Sequence, residues 1–196
     1  MKSDTVDAAH FLGKKMQLAF VVRDMDEAMR YWTEVMQVGP FVVFESCRDN
    51  RRLTYRGADT GVEWSLGFAY WQDVQLELIC QTNDEPSAFK ELLDSGREGL
   101  QHIGFWPDDF EGACAYLEDK AHKEVTVIYL DDGRRNGIYY ESPRHIGPMI
   151  ELVPWTTQRA AYFDRIRRLS DTWDGVSRPV RKFANRAAFL ESGEGA

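Results

Sequence analysis

Four side chains in this sequence have the types to do metal chemistry together: Gln17, Glu77, His102 and Glu151. Each lies in a stretch that otherwise reads as an apolar strand. Glu151 interrupts "MIELV", and Glu77 interrupts "LELI". Burying an unpaired carboxylate costs several kcal/mol, so an arginine, a proton or a metal ion must offset it. Two such carboxylates close together also repel, which a shared cation relieves. The set supplies three oxygen donors, one nitrogen and two negative charges to balance a divalent ion. Four protein ligands leave up to two positions open on a six-coordinate ion. Such a mixed site suits Zn, Ni, Co, Mn or Fe(II) better than a closed structural zinc. Taken singly, each residue has an ordinary alternative: His102 and Gln17 as plain strand polars, the glutamates as solvent-facing. Their matching positions in the chain favour the metal reading.

Those positions follow from strand parity and from an internal repeat. Residues two apart in a strand share a face. His102 therefore goes with Gly104 and Trp106, Gln17 with Ala19 and Val21, Glu77 with Gln75 and Ile79, and Glu151 with Met149 and Val153. The alternation of "MQLAFVV" from Met16 predicts a strand. After it, Met25, Ala28, Met29, Trp32, Val35 and Met36 fall at helical spacing behind an Asp24 cap, up to Gly39-Pro40. Three extended segments follow: "FVVFES", "EWSLGFAYW" and "VQLELICQ", with a polar, arginine-rich loop from Arg48 to Gly61 between the first two. The pattern then recurs as "QHIGFW", "PDDFEGACAYLEDK", "VTVIYL", "GIYYES" and "PMIELVP". A shift of 85 residues lays Gln17 on His102, Ala19 on Gly104, Asp24 on Asp109, Ala28 on Ala113 and Tyr31 on Tyr116. Repetition of a whole supersecondary unit is a stronger signal than any one residue.

The expected fold is α+β. Residues 1–15 read as an N-terminal extension, 16–82 as a first βαβββ module and 83–99 as a linker with a short helix begun by Pro86. Residues 100–155 read as a second βαβββ module, and 156–196 as a C-terminal helix and flexible tail. The helix, "TTQRAAYFDRIRRL", has Ala161, Tyr162, Ile166 and Leu169 as its apolar side. From about Gly175 the chain reads as turn-prone and loosely ordered.

Composition removes several function classes. The 196 residues are 43% hydrophobic and 29% charged with a net charge of −8, which argues against nucleic-acid binding. Arg165, Arg167 and Arg168 read as a solvated helix face or an interface. No stretch approaches the roughly 18 apolar residues of a membrane span, and the N-terminal stretch has no hydrophobic signal core. Cys47, Cys80 and Cys114 are odd in number and form no CxxC pair, so neither a disulfide framework nor a zinc ribbon is suggested. A small molecule is the expected partner, in a reducing cytoplasm.

The paired modules, with "QLAFVVRDMDEAMRYW", "GLQHIGFWPDDFEGACAYL" and "GPMIELVP", resemble the vicinal oxygen chelate, or glyoxalase/bleomycin-resistance/dioxygenase, superfamily. "PSAFKELLDSGREGLQHIGF" and "ESPRHIGPMIELVP" are similar to the linker and closing strand of its methylmalonyl-CoA epimerase-like members. The resemblance implies a cupped mixed sheet around a divalent metal held by Gln17, Glu77, His102 and Glu151, and often a homodimer. One departure matters: the epimerases usually carry histidine where this chain has Gln17. Gln, Glu, His, Glu is instead similar to the ligands of one class of glyoxalase I, and it weakens an iron dioxygenase reading. The activity implied is an epimerase, isomerase or glyoxalase-type lyase. It would take a proton from a carbon beside a carbonyl through a metal-stabilised enediolate, with Glu151, or alternatively Glu77, as the catalytic base. A metal-free, resistance-type binding protein is the contrasting reading. Aromatic residues at high density suit an aromatic substrate, and Arg48, Arg51, Arg52 and Arg56 would either greet an acyl-CoA phosphate or form a solvated loop. His145, on the loop before the last strand, would either line the cavity entrance or stand exposed.

Overall fold

The computed structural model describes residues 11–48 and 51–196. The proposed extension therefore lies mostly outside the described residues. The first module opens with β1 (Lys14–Val21) and α1 (Met25–Arg30), which runs on into one π-helical turn (Tyr31–Val35). It continues with β2 (Phe41–Phe44), β3 (Arg52–Tyr55), β4 (Ala58–Asp59), β5 (Trp64–Trp71) and β6 (Val74–Gln81). The linker helix is α2 (Ala88–Asp94). The second module has β7 (Gly99–Trp106), α3 (Phe110–Asp119), β8 (Glu124–Tyr129), β9 (Arg135–Tyr140) and β10 (Met149–Leu152). Beyond the repeat come α4 (Thr157–Asp171), β11 (Val180–Phe183) and α5 (Arg186–Glu191).

The local signals act as the repeat requires. Asp24 caps α1 by accepting from the Glu27 amide at 2.9 Å, and Asp109 caps α3 by accepting from the Gly112 amide at 3.0 Å. All the strands join one curved, unclosed sheet in the order β11-β2-β5-β6-β1-β7-β10-β9-β8-β3-β4. At its centre β1 runs antiparallel to β7, and each of these pairs in parallel with the closing strand of its own module, β6 or β10. Leu18 pairs with Ile103, flanked by Gln17 opposite Gly104 and Ala19 opposite His102. The modules thus meet about a local two-fold relation.

Strand alternation sorts the side chains into three cores. The outer face of the first module packs on α1 through Met29, Phe41, Leu76 and Leu78. The outer face of the second packs on α3 through Cys114, Leu117, Ile138 and Leu152. The inner, concave face carries Phe44, Leu66, Phe68, Ile79, Tyr139 and Val153. Over it lie Tyr162, Phe163, Ile166 and Leu169 of α4 and Phe189 of α5, all buried.

Two segments differ from expectation. The arginine-rich loop contains the hairpin β3–β4, and β3 pairs antiparallel with β8 of the other module. The tail is not loose: β11 pairs in parallel with β2, and Arg165 on α4 donates to the carbonyls of Leu190 and Glu194. Both departures have the same cause. These segments are short and charged, so they carry little periodic signal, and their partners lie far away in sequence. Each covers one edge of the sheet, where unpaired backbone groups would otherwise invite other chains.

Candidate functional site

Gln17 and His102 extend from the paired central strands, and Glu77 and Glu151 from the strands outside them. In register, Glu77 lies beside Ala19 and Glu151 beside Gly104. This layout brings all four side chains of one chain to one point on the concave face. Gln17 Nε2 donates to Glu77 Oε2 at 2.7 Å and to Glu151 Oε2 at 2.9 Å, and lies 3.2 Å from His102 Nε2. His102 Nε2 is 3.4 Å from Glu77 Oε2 and 3.3 Å from Glu151 Oε2. All four residues are buried, His102 completely. Gly104 makes the convergence possible. A methyl group there would sit 2.7 Å from Gln17 Cγ and 3.0 Å from Glu151 Oε2.

The electrostatics are those of two carboxylates crowded around an imidazole. Burial raises the Glu77 carboxyl above its ordinary range, against the pull of His102. Burial alone would depress the His102 imidazolium, but Glu151 and Glu77 outweigh it and push its pKa up to about 9. Two residues not singled out as site residues support the quartet. Gln101 Oε1 lies 2.6 Å from His102 Nδ1, which fixes the ring and aims Nε2 at the other three side chains. Tyr139 packs tilted on the His102 ring, 4.7 Å between centroids, within electrostatic reach of Glu151. Burial, then the nearby carboxylates, hold its hydroxyl protonated far above ordinary pH. Tyr139 could be found by parity, since it faces inward between Ile138 and Tyr140, which pack in the outer core.

Among the described residues, no group of three or more histidine, cysteine, aspartate and glutamate side chains makes a metal cage by itself. The quartet is a mixed set, held together here by the N–H groups of the Gln17 amide. The donor chemistry nevertheless fits a cation. Ligand atoms about 2 Å from a common ion lie roughly 3 Å apart, the scale of the separations seen here, 2.7 to 3.4 Å. Rotation of the Gln17 amide would present its oxygen instead.

Gln17, Glu77 and Glu151 open onto a cavity of about 610 Å³. Its walls include Trp64, Phe68 and Phe89 from the first module and linker, and Arg159, Tyr162 and Arg186 from the C-terminal segment. Other expected contributors lie elsewhere. Arg52 pairs with Asp59, and Arg56 bridges Glu91 and Glu141, so neither is held ready for a phosphate; Arg51 does line the cavity. His145 is exposed, and Trp71 is half-exposed. Trp106 packs on Phe163 at 5.7 Å. Cys47 and Cys114 are buried and Cys80 is partly buried, and no disulfide joins them. No helix among the described residues is long and apolar enough to cross a membrane.

No curated protein sequence matches this chain. Solved structures do match it. A hypothetical protein from Bacillus halodurans C-125 superposes with a TM-score of 0.55 at 12% identity, over 73% of this chain and 94% of its own. Methylmalonyl-CoA epimerase from Mycobacterium tuberculosis gives 0.54 at 17% identity, over 79% of this chain and 95% of its own. A Streptomyces coelicolor methylmalonyl-CoA epimerase variant in complex with 2-nitronate-propionyl-CoA gives 0.50 at 18%, over 74% and 98%. At such identities these likenesses speak to the fold. The model of the Glyoxalase/Bleomycin resistance protein/Dioxygenase superfamily matches residues 16–139, well over half of the sequence and most of both repeats. By the twinned modules, the curved sheet and this match, the chain belongs to the Glyoxalase/Bleomycin resistance protein/Dioxygenase superfamily.

Proposed function

We propose that this protein is a divalent-metal-dependent isomerase, epimerase or lyase that moves a proton at a carbon beside a carbonyl. The observation that carries the reading is the convergence of two buried carboxylates on an imidazole and an amide, whose nitrogens lie 2.7 to 3.4 Å from the carboxylate oxygens, beside a cavity. Gln17, Glu77, His102 and Glu151 would hold the ion. When bound, it would supply Lewis-acid polarisation of the substrate carbonyl, which acidifies the adjacent C–H.

The chain's own residues do the rest. Glu151 faces the cavity and takes the proton on a carboxylate oxygen, then returns it to the same or a neighbouring carbon. Glu77, on the matching strand, is the alternative base. Tyr139 packs against the His102 ring and helps hold the imidazole in place. Gln101 holds the His102 ring. The aromatic and aliphatic walls exclude water, which strengthens each of these interactions. Epimerases of this fold bind acyl-CoA analogues, and the proton chemistry proposed here is of the same class as theirs.

Metal content and proton exchange test the reading together. The purified protein should carry close to one equivalent of a divalent ion, or regain it after chelation. It should also catalyse exchange of the α-proton of a carbonyl substrate with deuterated solvent. A protein holding under about a tenth of an equivalent, with none regained on adding metal, would be a small-molecule binder instead.

A further inference from the structure

Two walls of aromatic rings flank the cavity beside the quartet. The first runs from Trp64 on β5 to Phe89 on α2, with 6.0 Å between ring centroids. It continues to Tyr139 on β9 at 6.2 Å and ends on the His102 ring at 4.7 Å. The second runs from Phe68 on β5 to Phe163 on α4 at 5.6 Å, and on to Tyr162 at 4.3 Å. All of these side chains are buried. Among the described residues, no ring contact joins one wall to the other. Apart from His102, every ring of both walls lines the same cavity of about 610 Å³. The space between the walls is therefore part of that cavity, and His102 marks its quartet end.

The repeated modules do not supply these walls by themselves. Phe89 comes from the linker helix, and Tyr162 and Phe163 come from α4. Both helices are pinned to the sheet by hydroxyl groups. Ser87 caps α2 by accepting from the amides of Phe89 at 3.1 Å and Lys90 at 2.9 Å, and it donates to Gln81 Oε1 at the end of β6 at 2.5 Å. Thr156 caps α4 by accepting from the Arg159 amide at 3.1 Å. Near the other end of α4, Ser170 Oγ accepts from the Tyr70 amide of β5 at 3.0 Å. The rings thus stand along the cavity on a fixed frame. Aromatic pairs attract beyond the area they bury when their centroids lie roughly 4.5–7 Å apart in tilted or edge geometry. An aryl ring held between the walls meets such partners on both sides. A saturated ring of the same size buries similar area and forgoes that attraction. The cavity volume is in the range that encloses a compact organic molecule.

We propose that the cavity is an aromatic slot, and that the substrate is a compact aryl carbonyl compound. Its ring lies between the two walls while its carbonyl end reaches the quartet. This assignment rests on the reading of the quartet as a reaction centre. It departs from an acyl-CoA substrate, which would be recognised through its phosphates rather than through a ring; Arg52 and Arg56 of the surface loop are engaged in ion pairs.

The test is a ligand-observed NMR titration of the full chain, as purified and after chelator treatment, with phenacyl alcohol, its cyclohexyl counterpart and coenzyme A. Phenacyl alcohol should bind at least about threefold more tightly than the cyclohexyl compound, the scale of ring–ring attraction beyond buried area. F89L and F163L each keep apolar bulk and remove one ring, from the first and the second wall in turn. Each should reduce that preference while changing the affinity for the cyclohexyl compound by less than about twofold, since swaps that keep volume disturb packing little. A variant that fails to fold loses both affinities together, so the ratio of the two, read beside an unchanged melting curve, decides the matter. Equal binding of the two ketones, no binding of either, a preference that survives both substitutions, or coenzyme A binding more tightly than phenacyl alcohol would each overturn the slot. The chelated protein separates the two readings. If no metal is taken up but the aryl preference holds, proton transfer fails and the slot stands. If metal is taken up and the two ketones bind alike, the slot alone fails.

Discussion

In the first module the neutral donor is Gln17 and the carboxylate is Glu77; in the second these are His102 and Glu151. The strands that carry them are equivalent, and so are the caps, Asp24 and Asp109, that start the following helices. The residues beside the donors are not. Ala19 flanks Glu77, whereas Gly104 flanks Glu151 and leaves room for Gln17 to cross from the other module. His102 is held by Gln101 and packed on Tyr139, whereas the Gln17 amide meets only the other three members of the quartet through its nitrogen. A twofold scaffold has thus become a one-sided site. The second module supplies the rigid half, and the first supplies the adaptable donor.

The sharpest way to probe this asymmetry is to neutralise each carboxylate in turn. E151Q should lower turnover at least about 10²-fold, the contribution of a general base. E77Q should mainly weaken metal retention. If E77Q proves the more damaging in a metal-saturated assay of kcat, the roles of the two modules are exchanged. Next in size is the roof over the first module. Ile166, on the inward face of α4, is fully buried, so I166A should cost roughly 2–5 kcal/mol in denaturant unfolding. A loss well under 1 kcal/mol would mean that the C-terminal segment is not part of the core.

Smaller effects separate the two small residues. G104A puts a methyl group against Gln17 and Glu151, and overpacking of this kind costs about 1–3 kcal/mol. A19G, its counterpart, should cost under about 1 kcal/mol and leave metal uptake unchanged. Equal effects in thermal melts would show that the two half-sites are packed alike. The smallest concerns the tail. Burial works against the Glu194 carboxylate, but Arg178 and Arg181 hold its pKa below the ordinary value. A carboxyl lowered on folding stabilises the native state above its unfolded pKa and ceases to do so as the pH falls through the lowered value. Wild type should therefore lose a little more stability than E194Q between about pH 5 and that point, by under about 1 kcal/mol for a partly exposed pair. Identical acid profiles would remove the tail clamp.

Much of this arrangement can be read in the residues themselves. The alternation of "MQLAFVV" and "VQLELICQ" marks central strands, because one face of each must be buried whatever lies against it. The 85-residue offset that lays Asp24 on Asp109 and Gln17 on His102 states the repeat directly. Glu77 and Glu151 stand out because a carboxylate within an apolar run calls for compensation. The hairpin β3–β4 and strand β11 were not legible in the same way. "RLTY" and "VRKF" are too short and too charged to show a period, and their strand character comes from backbone pairing with β8 and β2. Parity turns Tyr139 inward without marking it as a site residue, and Gln101 lacked a signal of its own, since an inward tyrosine and a strand glutamine are common in any sheet.

The sequence by itself thus determined the two modules, their α+β class and which four polar residues would share the concave face, since periodicity and burial are local properties of a chain. Only the tertiary structure decided that the quartet closes to within hydrogen-bonding distance, that Gly104 leaves the space for it, and that α4 and α5 fold back to line the cavity with Arg159 and Arg186. Those outcomes depend on which strands become neighbours and on what fills the cup, and contacts between residues far apart in the chain leave no periodic mark on either partner.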